Sequence, residues 1–141
     1  MNGGPISWKS RRQDNVSLST SKAEFVAASQ AGQEAIYLRE TFTDFGFSQT
    51  QATLLYEDNL ACMAMIENPV HRKFSRHIDI RKYYVRELVL AGFVKLVPLR
   101  THKMVADALT KILPSPAFVG HHQIMTGHAS FAARLLRCVG G

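Results

Sequence analysis

The sequence predicts an α/β fold. Two observations carry that prediction. Short apolar runs of strand character alternate with longer stretches whose apolar residues recur at steps of three and four, and such alternation builds layers of helix on sheet. The chain has 141 residues, 46% of them hydrophobic and 20% charged. That suits one ordinary domain with a core and excludes a disordered chain.

The elements follow in order. Residues 6–10, Ile-Ser-Trp-Lys-Ser, alternate apolar and polar and predict a half-buried strand. The polar residues 11–15 read as a turn. Ser19, Thr20 and Ser21 offer helix caps, and Glu24 stands three residues after Ser21 in a capping-box pattern. A long helix is expected from there, with Ala27, Ala31, Ala35, Leu38, Phe42 and Phe45 as its buried face and Gly46 as its stop. Residues 52–56 predict a second strand, which runs into Glu57, Asp58 and Asn59. A short helix over about residues 60–66 ends at Asn68-Pro69. A second long helix spans roughly residues 75–91, with Gly92 as its stop. Residues 93–99 predict a third strand, with Pro98 near its end. Residues 101–113 predict a last helix, closed by Pro114 and Pro116. The organisation expected is a domain over residues 1–116 and a partly helical tail over 117–141.

Composition narrows the function classes. Lys and Arg number 17 against 11 Asp and Glu, a formal charge of +6, which permits a polyanionic partner without demanding one. No apolar run approaches the ~18 residues that span a bilayer, and residues 1–5 lack the pattern of a secretory signal. An intracellular, non-membrane setting is expected. Cys62 and Cys138 lie far apart, which excludes a disulfide scaffold and a cysteine-rich zinc site.

Three carboxylates occupy suggestive places. Asp58 follows a buried strand at its carboxyl end, where ligands gather in open α/β sheets. Glu24 opens one predicted helix and Asp107 another. Brought together, hard carboxylate oxygens hold divalent cations, and a metal pair can activate water for phosphodiester cleavage. Each also has a plainer reading: Glu24 completes a capping box, Asp58 with Asn59 caps the next helix, and Asp107 complements a helix dipole.

Other residues are weighed the same way. Arg72, Lys73, Arg76, Arg81, Lys82 and Arg86 are interleaved with Phe74, Tyr83 and Tyr84. They suit phosphates and bases, or else form a solvated basic helix face. His102 precedes Asp107 by five residues and could assist proton transfer, or be an ordinary surface histidine. His121, His122 and His128 fit no zinc spacing. Cys62 reads as a buried small hydrophobe.

Five blocks, taken together, resemble the ribonuclease H domain of copia-type LTR retrotransposon Pol polyproteins. They are residues 6–13 (ISWKSRRQ), 18–25 (LSTSKAEF), 56–59 (YEDN), 76–81 (RHIDIR) and 105–111 (VADALTK). Their order and approximate spacing match over about residues 3–125. The resemblance implies an RNase H-like fold and cleavage of RNA in an RNA–DNA hybrid, with four acidic residues and two Mg²⁺ ions. It assigns Glu24, Asp58 and Asp107 as catalytic metal ligands and His102 as a loop histidine near the site. The basic segment, on its own composition, offers Arg72, Lys73, Arg76, Arg81 and Lys82 as nucleic-acid contacts. The reverse transcriptase part of the same polyprotein would be a partner.

The resemblance also implies that the family's first catalytic aspartate, on its first strand, lies upstream of residue 3, and its second strand with it. The expected fold is therefore an incomplete RNase H-like sheet, lacking the first two of five strands, in which the strands near Leu54 and Val94 are neighbours. Weak or no hybrid cleavage is expected from this chain alone. Two further readings stand beside it: a non-catalytic nucleic-acid-binding remnant, and a retroelement relic without a role.

Overall fold

The computed structural model describes residues 4–10, 20–67 and 84–129. They fall into two compact units, Gln13–Leu99 and the pair of segments Met1–Arg12 with Arg100–Gly141.

The larger unit is mixed α/β. Helix α1 spans Thr20–Asp44, strand β1 Thr53–Glu57 and helix α2 Leu60–Glu67. Residues 84–90 are helical (α3), and strand β2 spans Val94–Pro98. β1 and β2 pair in parallel, from Thr53 opposite Val94 to Glu57 opposite Pro98. Parallel neighbours cannot be joined by a tight turn, and α2 and α3 lie in the connection between them. The neighbouring of the Leu54 and Val94 strands is as expected.

The core is built from Phe25 and Ala28 of α1, Cys62, Met63 and Ile66 of α2, Val85 of α3 and Leu96 of β2. Helix α1 buries a different stripe from the one its alanines suggested. Phe25, Ala28, Ser29 and Gly32 face inward, whereas Ala27 and Phe45 are exposed. Gly32 is where α1 meets α3: a Cβ there would lie 3.1 Å from Leu88 Cδ1. Close approach, not hydrophobicity, selects this face.

Both glycine stops hold. Gly46 (φ +83°) donates to Thr43 O and Phe47 to Phe42 O, while Gly92 (φ +74°) donates to Val89 O and Phe93 to Leu88 O. These paired bonds are the Schellman closure, whose left-handed residue carries no Cβ penalty when it is glycine.

The smaller unit corrects three expectations. Residues 6–10 form no strand, and Trp8 is 72% exposed. An alternating pattern becomes a strand only with a neighbour to take its backbone hydrogen bonds, and Ser10 instead donates its hydroxyl to Leu109 O at 3.0 Å. The helix expected over 101–113 is two 3₁₀ turns, Thr101–Lys103 and Val105–Leu109, split by Met104 in extended conformation (φ −69°, ψ 100°). Pro114 and Pro116 do not close a helix. They open one, α4 (Ser115–Met125), with proline in the first turn, where a missing N–H costs nothing. Residues 130–141, and with them the turn expected near Phe131, lie outside the described residues. No helix among the described residues is long and apolar enough to cross a membrane.

Candidate functional site

The carboxyl end of β1 carries a connected polar arrangement. Glu57 is the last residue of the strand. Its backbone carbonyl accepts from Leu99 N–H at 2.9 Å, continuing the parallel pairing, and its Oε1 accepts from Asn59 N–H at 2.9 Å. Asn59 then caps α2, its Oδ1 accepting from Cys62 N–H at 3.0 Å. This is the third N–H of the helix, the usual target of an asparagine N-cap. The capping role read for the Asp58–Asn59 pair thus falls to Asn59. Asp58, half-buried, stands between two residues whose side chains organise the turn.

The opening turn of α1 joins the same region. Asn59 Nδ2 donates to Ser21 Oγ at 3.4 Å, and Glu24 lies three residues on, half-buried and partnered. The charge of Glu24 is felt by the Cys62 thiol. Glu24 and Asp58, far apart along the chain, are therefore both held at the junction of α1, β1 and α2.

Electrostatics at this junction are those of a dry carboxyl–thiol pair. Burial raises Glu57 above the ordinary carboxylate value, against the lowering effect of hydrogen bonds from Asn59, Cys62 and the Asp58 N–H, and the charge of Asp58 raises it further. Burial also pushes the Cys62 thiol up, helped by the charges of Glu57 and Glu24. Cys62 is fully buried, as expected of a small hydrophobe, and is no nucleophile. Glu57 carried no role in the reading of the sequence. The signal was present: Thr53, Leu55 and Glu57 share one face of a period-two strand, and Leu55 packs on the core.

The smaller unit holds Asp107 and His102. Asp107 is buried in the second 3₁₀ turn and pairs with Lys111 Nζ at 2.8 Å, while Lys111 N–H donates to Asp107 O at 2.8 Å. His102 is exposed on the first 3₁₀ turn. His121 is buried in α4, His122 stacks against Phe118 with ring centroids 6.2 Å apart, and His128 Nδ1 lies 2.8 Å from Thr126 Oγ1. Within neither unit, among the described residues, are three His, Cys, Asp or Glu side chains gathered to hold a metal ion. Arg72, Lys73, Arg76, Arg81 and Lys82 lie outside the described residues.

No protein-family model matches the chain, and no solved structure does. Among the proteins it resembles are Pol polyproteins of plant transposons. It is 34% identical over 116 residues to the retrovirus-related Pol polyprotein from transposon TNT 1-94 of Nicotiana tabacum, a match covering 82% of this chain and 9% of the relative. It is 32% identical over 114 residues to that from transposon RE1 of Arabidopsis thaliana and 31% identical over 114 residues to that from transposon RE2 of the same plant. Each of these covers 81% of this chain and 8% of the relative. The chain thus spans less than a tenth of the length of the curated relatives it matches.

Proposed function

We propose that this chain is the ribonuclease H portion of a copia-type retrotransposon Pol polyprotein, with an RNase H-like fold, serving hydrolysis of the RNA strand in RNA–DNA hybrids. The observation that carries the reading is the junction just described, where the turn holding Asp58 is tied to the helix turn holding Glu24. Metal-assisted phosphodiester hydrolysis needs a bound cation and contact with phosphate, and the residues divide between them. Glu24, Asp58 and Asp107 would each serve as a carboxylate ligand for Mg²⁺. Bound there, the metal would supply Lewis acidity and a more acidic water. Arg72, Lys73, Arg76, Arg81 and Lys82 would bind the hybrid's phosphates and orient its backbone. His102, exposed, would move a proton to or from a displaced oxygen. In the polyprotein, the reverse transcriptase part would deliver the hybrid.

The test is a cleavage assay on a hybrid carrying a labelled RNA strand, with Mg²⁺ or Mn²⁺. Weak cleavage or none is expected of this polypeptide, with any cut confined to the RNA strand and falling to background in Asp58→Asn, and Mn²⁺ binding that Asp58→Asn weakens. A polypeptide that neither cuts the hybrid nor binds Mn²⁺ at Asp58 ends the reading.

A further inference from the structure

We infer that the smaller unit carries a nucleic-acid surface of its own, which takes single-stranded DNA or RNA through phosphate contacts at Lys9 and Arg100 and a base stacked on Trp8. This surface uses none of the carboxylates named above and needs no metal. Charge is divided unevenly between the two units. The segments Met1–Arg12 and Arg100–Gly141 hold eight Lys and Arg against one acid, Asp107, a formal +7. Gln13–Leu99 holds nine against ten, a formal −1. The whole excess of +6 therefore falls in the smaller unit. Its one acid is buried and pairs with Lys111 at 2.8 Å, so it neutralises that lysine and leaves the charge on Lys9 and Arg100, both exposed. A polyanion that meets such a surface gains by releasing its condensed counterions.

An exposed ring on an anchored backbone says which polyanion. Residues 4–10 are tied at both ends. A Cβ at Gly4 would lie 3.2 Å from Met125 O, at the end of α4, and Ser10 Oγ donates to Leu109 O at 3.0 Å. Between these ties stands Trp8, the one tryptophan of the chain, largely exposed and followed directly by Lys9. A ring held in water in this way offers its face to a base, and such stacking tolerates every sequence. A duplex keeps its base faces inside, so the ring favours a single strand. An anionic lipid surface suits the smaller unit less well. Helix α4 exposes Phe118 and Val119 but contains no Lys or Arg, whereas a helix that lies on anionic lipid carries cations and apolar side chains on the same element.

The test titrates the full chain, in EDTA, with a short dT oligomer. Trp8 fluorescence should be quenched saturably, and far less by an abasic oligomer of the same length. Affinity, read from the anisotropy of a labelled oligomer, should fall with salt, and Lys9→Gln and Arg100→Gln should each lower the logarithmic slope by about 0.7. Trp8→Ala should bind about 5-fold more weakly or worse, and Trp8→Phe, which keeps a ring, should recover part of that loss. All of these side chains are exposed, so the variants should melt with the parent. Absence of binding at low salt, binding that neither quenches Trp8 nor weakens in Trp8→Ala, a slope unmoved by Lys9→Gln and Arg100→Gln, or tighter binding to phosphatidylserine vesicles than to dT each overturns the inference. None of these outcomes touches Mg²⁺-dependent cleavage of the hybrid, and failure of that cleavage leaves this surface standing.

Discussion

Glu57 is a carboxyl group that the fold has taken out of water while keeping it hydrogen-bonded. Because burial dominates, the folded state binds its proton more tightly than the unfolded chain does, above the ordinary value of 4.5. The sign follows from linkage. The stability linked to this proton is fully present below the ordinary value and is lost as pH rises through the raised one. Glu57→Gln, which keeps an acceptor for Asn59 N–H, should match the parent's melting temperature at about pH 4 and exceed it increasingly toward about pH 8. A difference that is flat with pH would show that Glu57 does not titrate as its surroundings require. Cys62 gives a second prediction at this scale. A buried thiol pushed upward presents almost no thiolate at neutral pH. In a Cys138→Ser background, alkylation of Cys62 should therefore be slow and should keep pace with unfolding in added denaturant. Rapid labelling of the folded chain would contradict the burial.

Arg39 ties elements together where the apolar pattern gives no hint of it. Its guanidinium donates to Gln51 O at 2.7 Å, to Gln49 O at 2.6 Å and to Thr53 Oγ1 at 3.2 Å, and lies 5.7 Å from the centre of the Phe93 ring. One side chain thus links α1, the approach to β1 and the approach to β2. Lysine cannot reproduce a planar fork, so Arg39→Lys should cost about 1 kcal/mol in a urea melt, and an unchanged midpoint would remove Arg39 from the architecture. Gly32 supports a companion expectation. Leu88 Cδ1 lies 3.1 Å from where its Cβ would stand, so Gly32→Leu should destabilise by about 1–3 kcal/mol through overpacking. A stability equal to the parent's would mean that α1 and α3 have room to part. These elements also mark what was legible. Glycine stops read directly from sequence, because few residues tolerate their backbone angles. The inner face of α1 did not, because Ser29 and Gly32 are selected by fit and alanines lie on several sides. The break at Met104 has no glycine or proline to announce it. Asp58 and Asn59 at a strand's tip were legible because strand end and helix cap each leave a local signature. The tie from Asn59 to Ser21 was not, since it joins residues 38 positions apart.

At the scale of the whole molecule, the two units differ in what they bury. The larger unit encloses Phe25, Cys62, Ile66 and Val85 almost completely, whereas the smaller one buries Ile124 beside the polar Asp107 and His121 among its described residues. Local opening free energy follows buried apolar contact. The slowest amide exchange is therefore expected in α2, β1 and the stretch of α1 from Phe25 to Gly32, with faster exchange over the two 3₁₀ turns. Equal protection throughout would refute that ordering. Net charge sets the last expectation. With +6 overall and a basic cluster at Arg72, Lys73, Arg76, Arg81 and Lys82, binding to an RNA–DNA hybrid should release counterions, so affinity should fall linearly with salt on logarithmic axes. Replacing any one of these five by glutamine should lower the slope by roughly one where that residue touches phosphate, without changing preference among sequences. Glutamine at Lys95, outside the cluster, should leave the slope as it is. A slope insensitive to all five positions would detach this segment from nucleic acid.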